Sequence, residues 1–186
     1  MFATARISHD SKPVLYEELL AQARSLFEGE RDAGANSANL AALLFHSLPE
    51  LNWSGFYWMK EGELVLGSFQ GKPACVRIAL GKGVCGTAAR ERRTIVVPDV
   101  DAFPGHIACD SASRSEVVIP LVHRGEVIGV LDVDSPILER FDEEDARGLE
   151  AVAKAFIESG TLTLQLANGE RMQGFLNGRR FVPGNA

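Results

Sequence analysis

The sequence predicts an α+β fold: one six-stranded antiparallel sheet, with helices from both ends of the chain packed on one face and a ligand pocket on the other. Three observations predict it. Apolar residues recur at helical spacing near both ends, the period changes to two between residues 53 and 133, and glycine-bearing turns cut that middle stretch into short runs. With 186 residues, 46% of them hydrophobic and 24% charged, the chain is long enough to bury one core and too apolar for disorder over most of its length. A single domain is expected over 1–167, with its core at 36–160, followed by a loosely held extension over 168–186 that shows little periodicity.

The elements follow in order. Residues 13–27 place Leu15, Leu19, Leu20, Ala23 and Leu26 or Phe27 on one helical face, with Pro13 suited to a first turn. After the polar break GERDAGANS, Ala38 to Leu48 repeats the pattern and Pro49 lies just past its end. Trp53 to Met59 and Glu63 to Phe69 form a hairpin through Gly62, and Cys75 to Leu80 is a third strand. Glycines 81, 83 and 86 then lead into a short helix around Thr87 to Arg92, which places Cys85 near its start. Thr94 to Val97 is a fourth strand. Glu116 to Val122 and Glu126 to Val133 make a second hairpin around Arg124 and Gly125. The segment from Phe141 to Leu166 opens with acidic residues suited to the positive end of a helix dipole, and it reads as one long closing helix with Leu149, Val152, Ala153, Phe156 and Ile157 on one face.

Composition excludes several functions. A net charge of −6 with no basic face argues against a nucleic-acid partner, and no run of about eighteen apolar residues suits a membrane span. No signal peptide is apparent, so a cytoplasmic location is expected. An odd number of cysteines without such a signal does not suit a structural disulfide framework and points to redox, catalytic or packing roles.

Chemistry gathers between Gly67 and Asp134, which holds all three cysteines: Cys75, Cys85 and Cys109. Cys109 lies in the loop FPGHIACD, where backbone amides can lower a thiol pKa. Asp132 and Asp134 alternate on one face of an otherwise apolar strand, and with Glu116 they make an acidic trio facing the pocket. Such a pair of aspartates can hold an ammonium group, and a crowded Glu116 can act as an acid. Trp53 and Tyr57 share one face of the first strand, as core or as an aromatic wall. His106 stands three residues before Cys109, where a base or a metal ligand is one reading and a residue that shapes the PGH turn is the expected one; without any C-x-x-C pair, no metal site is expected.

The motifs NWSGFYW, GSFQGKPACVRI, GKGVCGTAA, VPDVDAFPGHIACDSASRSEVVIPL and GVLDVDS, spanning Asn52 to Val133 and the residues just after, resemble those of the free methionine-(R)-sulfoxide reductases, whose fold is a GAF domain. The resemblance implies an enzyme that reduces free methionine-(R)-sulfoxide, with Cys109 as the attacking thiol and a disulfide to Cys109 formed in turnover. Cys75 and Cys85 are both candidate resolvers. It also implies that Glu116, Asp132 and Asp134 bind and polarise the substrate, that amides around Ile107, Ala108 and Cys109 receive its carboxylate, and that Trp53 forms a wall with Tyr57 beside it. No bound cofactor is expected, and thioredoxin is the expected electron donor. The chemistry agrees: sulfoxide reduction needs a thiolate to attack sulfur, an acid for the departing oxygen, and a second thiol to discharge the sulfenic acid. The alternatives are a non-catalytic GAF sensor of a small ligand, which would be expected to carry an output domain, and a redox sensor. An exposed helical face would suit a homodimer.

Overall fold

Two hairpins build the middle of the molecule, and each closes through a two-residue turn in which both residues have positive φ. These are Glu61 and Gly62 at 52° and 85°, and Arg124 and Gly125 at 52° and 83°. Such turns match the twist of the strands they join. In the computed structural model, which describes residues 11–107 and 110–159 and the backbone of three short strands beyond them, these hairpins are β1 (Trp53–Lys60) with β2 (Glu63–Gly71), and β5 (Ser115–His123) with β6 (Glu126–Ser135). The first hairpin also pairs with β3 (Arg77–Ala79), and the second with β4 (Ile95–Val97). The sheet order is β3-β2-β1-β6-β5-β4, with every neighbouring pair antiparallel.

Side chains alternate across this sheet and so feed two cores. Phe56, Val117, Ile119, Leu131 and Val133 face α1 (Lys12–Phe27), α2 (Ala33–Ser47) and α4 (Glu143–Ser159), where they meet Leu19, Leu40, Leu44, Leu149 and Phe156. Trp53, Tyr57, Val118 and Val130 face the opposite way, against α3 (Gly83–Glu91), whose Val84, Cys85, Ala88 and Ala89 cover them. The terminal helices therefore share one face, as expected, and the short helix lies on the other.

The helices are tied down at their polar ends. Asp142 Oδ1 accepts from the backbone N–H groups of Glu144 at 2.8 Å and Asp145 at 3.1 Å, capping α4. Asp145 is fully buried and accepts from Lys12 Nζ at 2.6 Å, Tyr16 Oη at 2.9 Å and an Arg140 guanidinium nitrogen at 3.2 Å, which joins α1 to α4.

β3 keeps only Arg77–Ala79 of the strand expected over Cys75 to Leu80, and three helix boundaries differ more. α2 begins at Ala33 rather than Ala38, because Asp32 caps it by accepting from Ala35 N at 2.7 Å. Its first turns bury Asn36 and Ser37, which disguise a helical face as a polar break: Asn36 Nδ2 donates to Ser159 Oγ at 3.2 Å, and Ser37 Oγ lies 3.0 Å from Ser68 Oγ. The short helix on the pocket face begins at Gly83, not Thr87, so Cys85 stands within its first turn. The closing helix stops at Ser159, and Thr161–Gln165 is a strand (β7). Gly160 is a poor helix former, and the alternation of threonine and leucine after it has a strand's period. β7 pairs with β8 (Arg171–Phe175), which pairs with β9 (Val182–Pro183), so regular backbone pairing extends into the segment read from sequence as a loose extension.

Candidate active site

Adjacent central strands form the floor of a cleft on the α3 side. Glu116 on β5 stands directly across from Asp134 on β6, and Val118 across from Asp132, so the three carboxylates emerge together from one rigid ladder. All are nearly out of reach of water, at 5%, 6% and 9% exposure for Glu116, Asp132 and Asp134. α3 supplies Gly83, Val84 and Cys85, and the loop after β4 supplies His106 and Ile107, with Ile78, Lys82 and Ser113 completing the lining. The helix can approach this closely because Gly86 lacks a side chain: a Cβ there would stand 2.3 Å from the Ala79 carbonyl oxygen. Gly83, at φ +58°, lies under the Ile107 side chain, so the loop rests on the start of the helix at the mouth of the cleft.

The electrostatics of the cleft are set by burial. Glu116 is pushed well above the usual carboxylate range by loss of solvent and then by Asp134. Asp132 is pushed up by burial and by Glu116, and Asp134 by burial and by Asp132. Cys85 sits where a helix dipole would lower a thiol, yet burial and the charges of Asp132 and Glu116 push it up. Its Sγ lies 3.9 Å from Glu116 Oε1. His106 Nε2 is 3.6 Å from Glu116 Oε2, and burial lowers the imidazole pKa, so the acidic trio gains little from that ring. Among the described residues no lysine or arginine forms an ion pair with the trio.

A second polar cluster fixes the loop that leads into β5. Asp110 accepts from Ala112 N at 2.9 Å, Lys72 Nζ at 3.1 Å and Asn52 Nδ2 at 3.2 Å, and Asn52 Nδ2 also donates to Ser113 Oγ at 2.9 Å. The Ala112 amide, with Lys72 and Asn52, holds the Asp110 carboxyl below its usual range. The link back to its own chain two residues on is an Asx turn, a signal present in the sequence DSA.

The structure thus gathers Cys85, Ile107, Glu116, Asp132 and Asp134 from the sequence-derived set into one cleft. Cys75 is half-buried against the hydrophobic core on the α3 side of the sheet and is not part of the lining. Ala108 and Cys109 lie outside the described residues. Trp53 and Tyr57 are buried beside the cleft rather than on its wall: the Trp53 ring stacks on Tyr57 at 5.9 Å and on Phe69 at 5.4 Å, and its Nε1 donates to the Lys72 carbonyl at 3.2 Å. Sequence reasoning weighed His106 as a base or a metal ligand and expected it to shape the turn. Its backbone N–H does close that turn, donating to the Phe103 carbonyl at 3.1 Å, but its ring also reaches Glu116. No spacing rule reveals that contact, because it joins a loop to a strand.

A curled six-stranded antiparallel sheet with a cleft under a short helix is the architecture of a GAF domain, and the GAF domain family matches residues 34–156. Protein YtsP of Bacillus subtilis is 54% identical over 156 residues, covering 83% of this chain and 95% of its own. The free methionine-R-sulfoxide reductase of Escherichia coli is 49% identical over 139 residues, covering 75% of this chain and 84% of its own. The X-ray structure of free methionine-R-sulfoxide reductase from Neisseria meningitidis, in complex with its substrate, is similar at a TM-score of 0.80 and 49% identity, covering 84% of this chain and 93% of that one. The chain belongs to the free methionine-(R)-sulfoxide reductase family of GAF domains.

Proposed function

We propose that the protein reduces free methionine-(R)-sulfoxide to methionine by thiol chemistry. The observation that carries this reading is the cleft itself: three buried carboxylates with no lysine or arginine partner among the described residues, a thiol beside them, and relatives whose substrate is a zwitterionic amino acid carrying an oxidised sulfur. An ammonium group is the complement that Asp132 and Asp134 lack. Glu116, whose pKa burial raises, is suited to donate a proton to the sulfoxide oxygen.

The cycle we infer balances as follows. The Cys109 thiolate attacks the sulfoxide sulfur, the oxygen passes to Cys109 as a sulfenic acid, and methionine leaves with two more electrons than it brought. A second thiol, Cys75 or Cys85, attacks the sulfenic sulfur and releases water, leaving a disulfide. Thioredoxin, acting as a dithiol donor, returns both cysteines to thiols, and no bound cofactor takes part. A raised Cys85 pKa suits a thiol that waits to resolve rather than one that attacks first. This cycle belongs to a reducing compartment such as the cytosol, as part of a defence against oxidised methionine.

A thioredoxin-coupled assay comparing free methionine-(R)-sulfoxide, its (S) epimer, and N-acetylated or peptide-bound sulfoxide tests the proposal. Without their ammonium partner the buried carboxylates remain unpaired, so discrimination of about a thousandfold or more against the blocked substrates is expected. Equal rates on free and blocked substrate would overturn it, and binding without turnover would return the chain to the role of a ligand sensor.

A further inference from the structure

Cys85 Sγ, a carboxylate oxygen of Glu116 and one of Asp132 all lie within 4.8 Å of one another, and all three residues are buried. They come from three elements, α3, β5 and β6. Asp132 Oδ1 has no hydrogen-bond partner among the described residues, although Asp132 is only 6% exposed and lines the cleft. A buried acceptor left bare is costly, and polar groups in that state point to a ligand that the protein is built to take. One thiol and two carboxylates form a donor set of intermediate softness, suited to zinc or cobalt rather than to magnesium or calcium, which take oxygen alone.

We propose that the cleft in its reduced form binds one divalent cation of the zinc class through Cys85 Sγ, Glu116 and Asp132, leaving a fourth position open. Zinc takes sulfur at about 2.3 Å and carboxylate oxygen at about 2.0–2.2 Å. The donors, which lie within 4.8 Å of one another, need to close in by about 1 Å around it. On binding, the Cys85 thiol gives up its proton to solvent and coordinates as thiolate, and Glu116 and Asp132 release to solvent the protons they hold and coordinate as carboxylates. A Cys85 sulfur bound in a disulfide no longer coordinates, so the cation reports the reduced state of this residue. The site uses carboxylates that the proposed function assigns to substrate, but it does not depend on that function.

The test uses the full chain, reduced, stripped with chelator and free of sulfoxide, titrated with cobalt(II) and then zinc. One equivalent is expected, with a sulfur-to-cobalt charge-transfer band in the near ultraviolet that zinc bleaches and magnesium does not. Cys85→Ser should lose the sulfur band, and Cys75→Ser should keep it. Asp132→Asn, nearly isosteric and so informative even if Cys85→Ser fails to fold, should weaken zinc binding by about a hundredfold or more, since loss of a direct ligand exceeds the penalty for an outer partner. A sulfur band that survives Cys85→Ser, or zinc affinity unchanged by Asp132→Asn, would overturn the proposal. Because no sulfoxide or reductant is present, the result stands apart from whether the chain turns over methionine sulfoxide.

Discussion

Replacing Asp132 by asparagine should stabilise the metal-free, substrate-free protein, and the gain should depend on pH. Asp132 and Glu116 are both buried, and their carboxylates lie within 4.8 Å of each other. Two unit negative charges at that separation repel by about 3–4 kcal/mol at an effective dielectric near 20. Burial first, and neighbouring carboxylates after it, push both groups up from their ordinary values of 3.8 and 4.5, so the native state keeps protons that relieve part of this repulsion. Above those values the unfolded chain releases protons that the native state retains, so stability falls as pH rises. The amide removes one member of the pair. A gain of about 1–2 kcal/mol is expected at pH 8, or about 3–6 °C in Tm for a chain of this size. At about pH 4, where the native groups are neutral in either protein, the difference should nearly vanish. Calorimetry on both proteins at the two pH values, with chelator present, checks this. A lower Tm for Asp132→Asn at pH 8, or the same shift at both values, would refute the reasoning.

Three further outcomes follow from the site. Cys109→Ser should release no methionine, because a hydroxyl is a poor nucleophile towards sulfur; Cys75→Ser and Cys85→Ser should each release about one per subunit in a single turnover, and the variant lacking the true resolver should stall as a sulfenic acid that a dimedone-type probe traps. Glu116→Gln should slow the reductive step by about two to four orders of magnitude while changing substrate binding far less, as read by single-turnover kinetics. Gly86→Ala should cost about 1–3 kcal/mol in denaturant unfolding, because its Cβ would meet the Ala79 carbonyl oxygen at 2.3 Å and force α3 away from the sheet.

The sheet was legible because period-two alternation and two glycine-bearing turns coincide along it, and all six strands of the domain lie where that pattern puts them. The acidic trio was legible for the same reason, since charge on the pocket face of an apolar strand breaks the alternation. What stayed hidden depended on partners distant in sequence. Asn36 and Ser37 read as a loop until Ser159 and Ser68 come to meet them. Trp53 and Tyr57 share a face, as their spacing says, but whether that face is wall or core is decided by Phe69 and Lys72 across the hairpin. The convergence of Cys85, Glu116 and Asp132 was equally out of reach, because none of the three neighbours another along the chain.

The cleft is built from parts that stand differently in the sheet. Its floor belongs to β5 and β6, interior strands whose opposite side is sealed by the helical core. Its cover, α3, hangs between β3 and β4, the two outermost strands, each only three residues long. Substitutions in the cover can therefore reshape what enters the cleft while leaving the foundation of the fold untouched. In evolutionary terms the architecture separates the scaffold from the part that sets the ligand: a lineage can keep the sheet and its three helices and recast the cover, Cys85 included, acquiring a new ligand without having to fold anew.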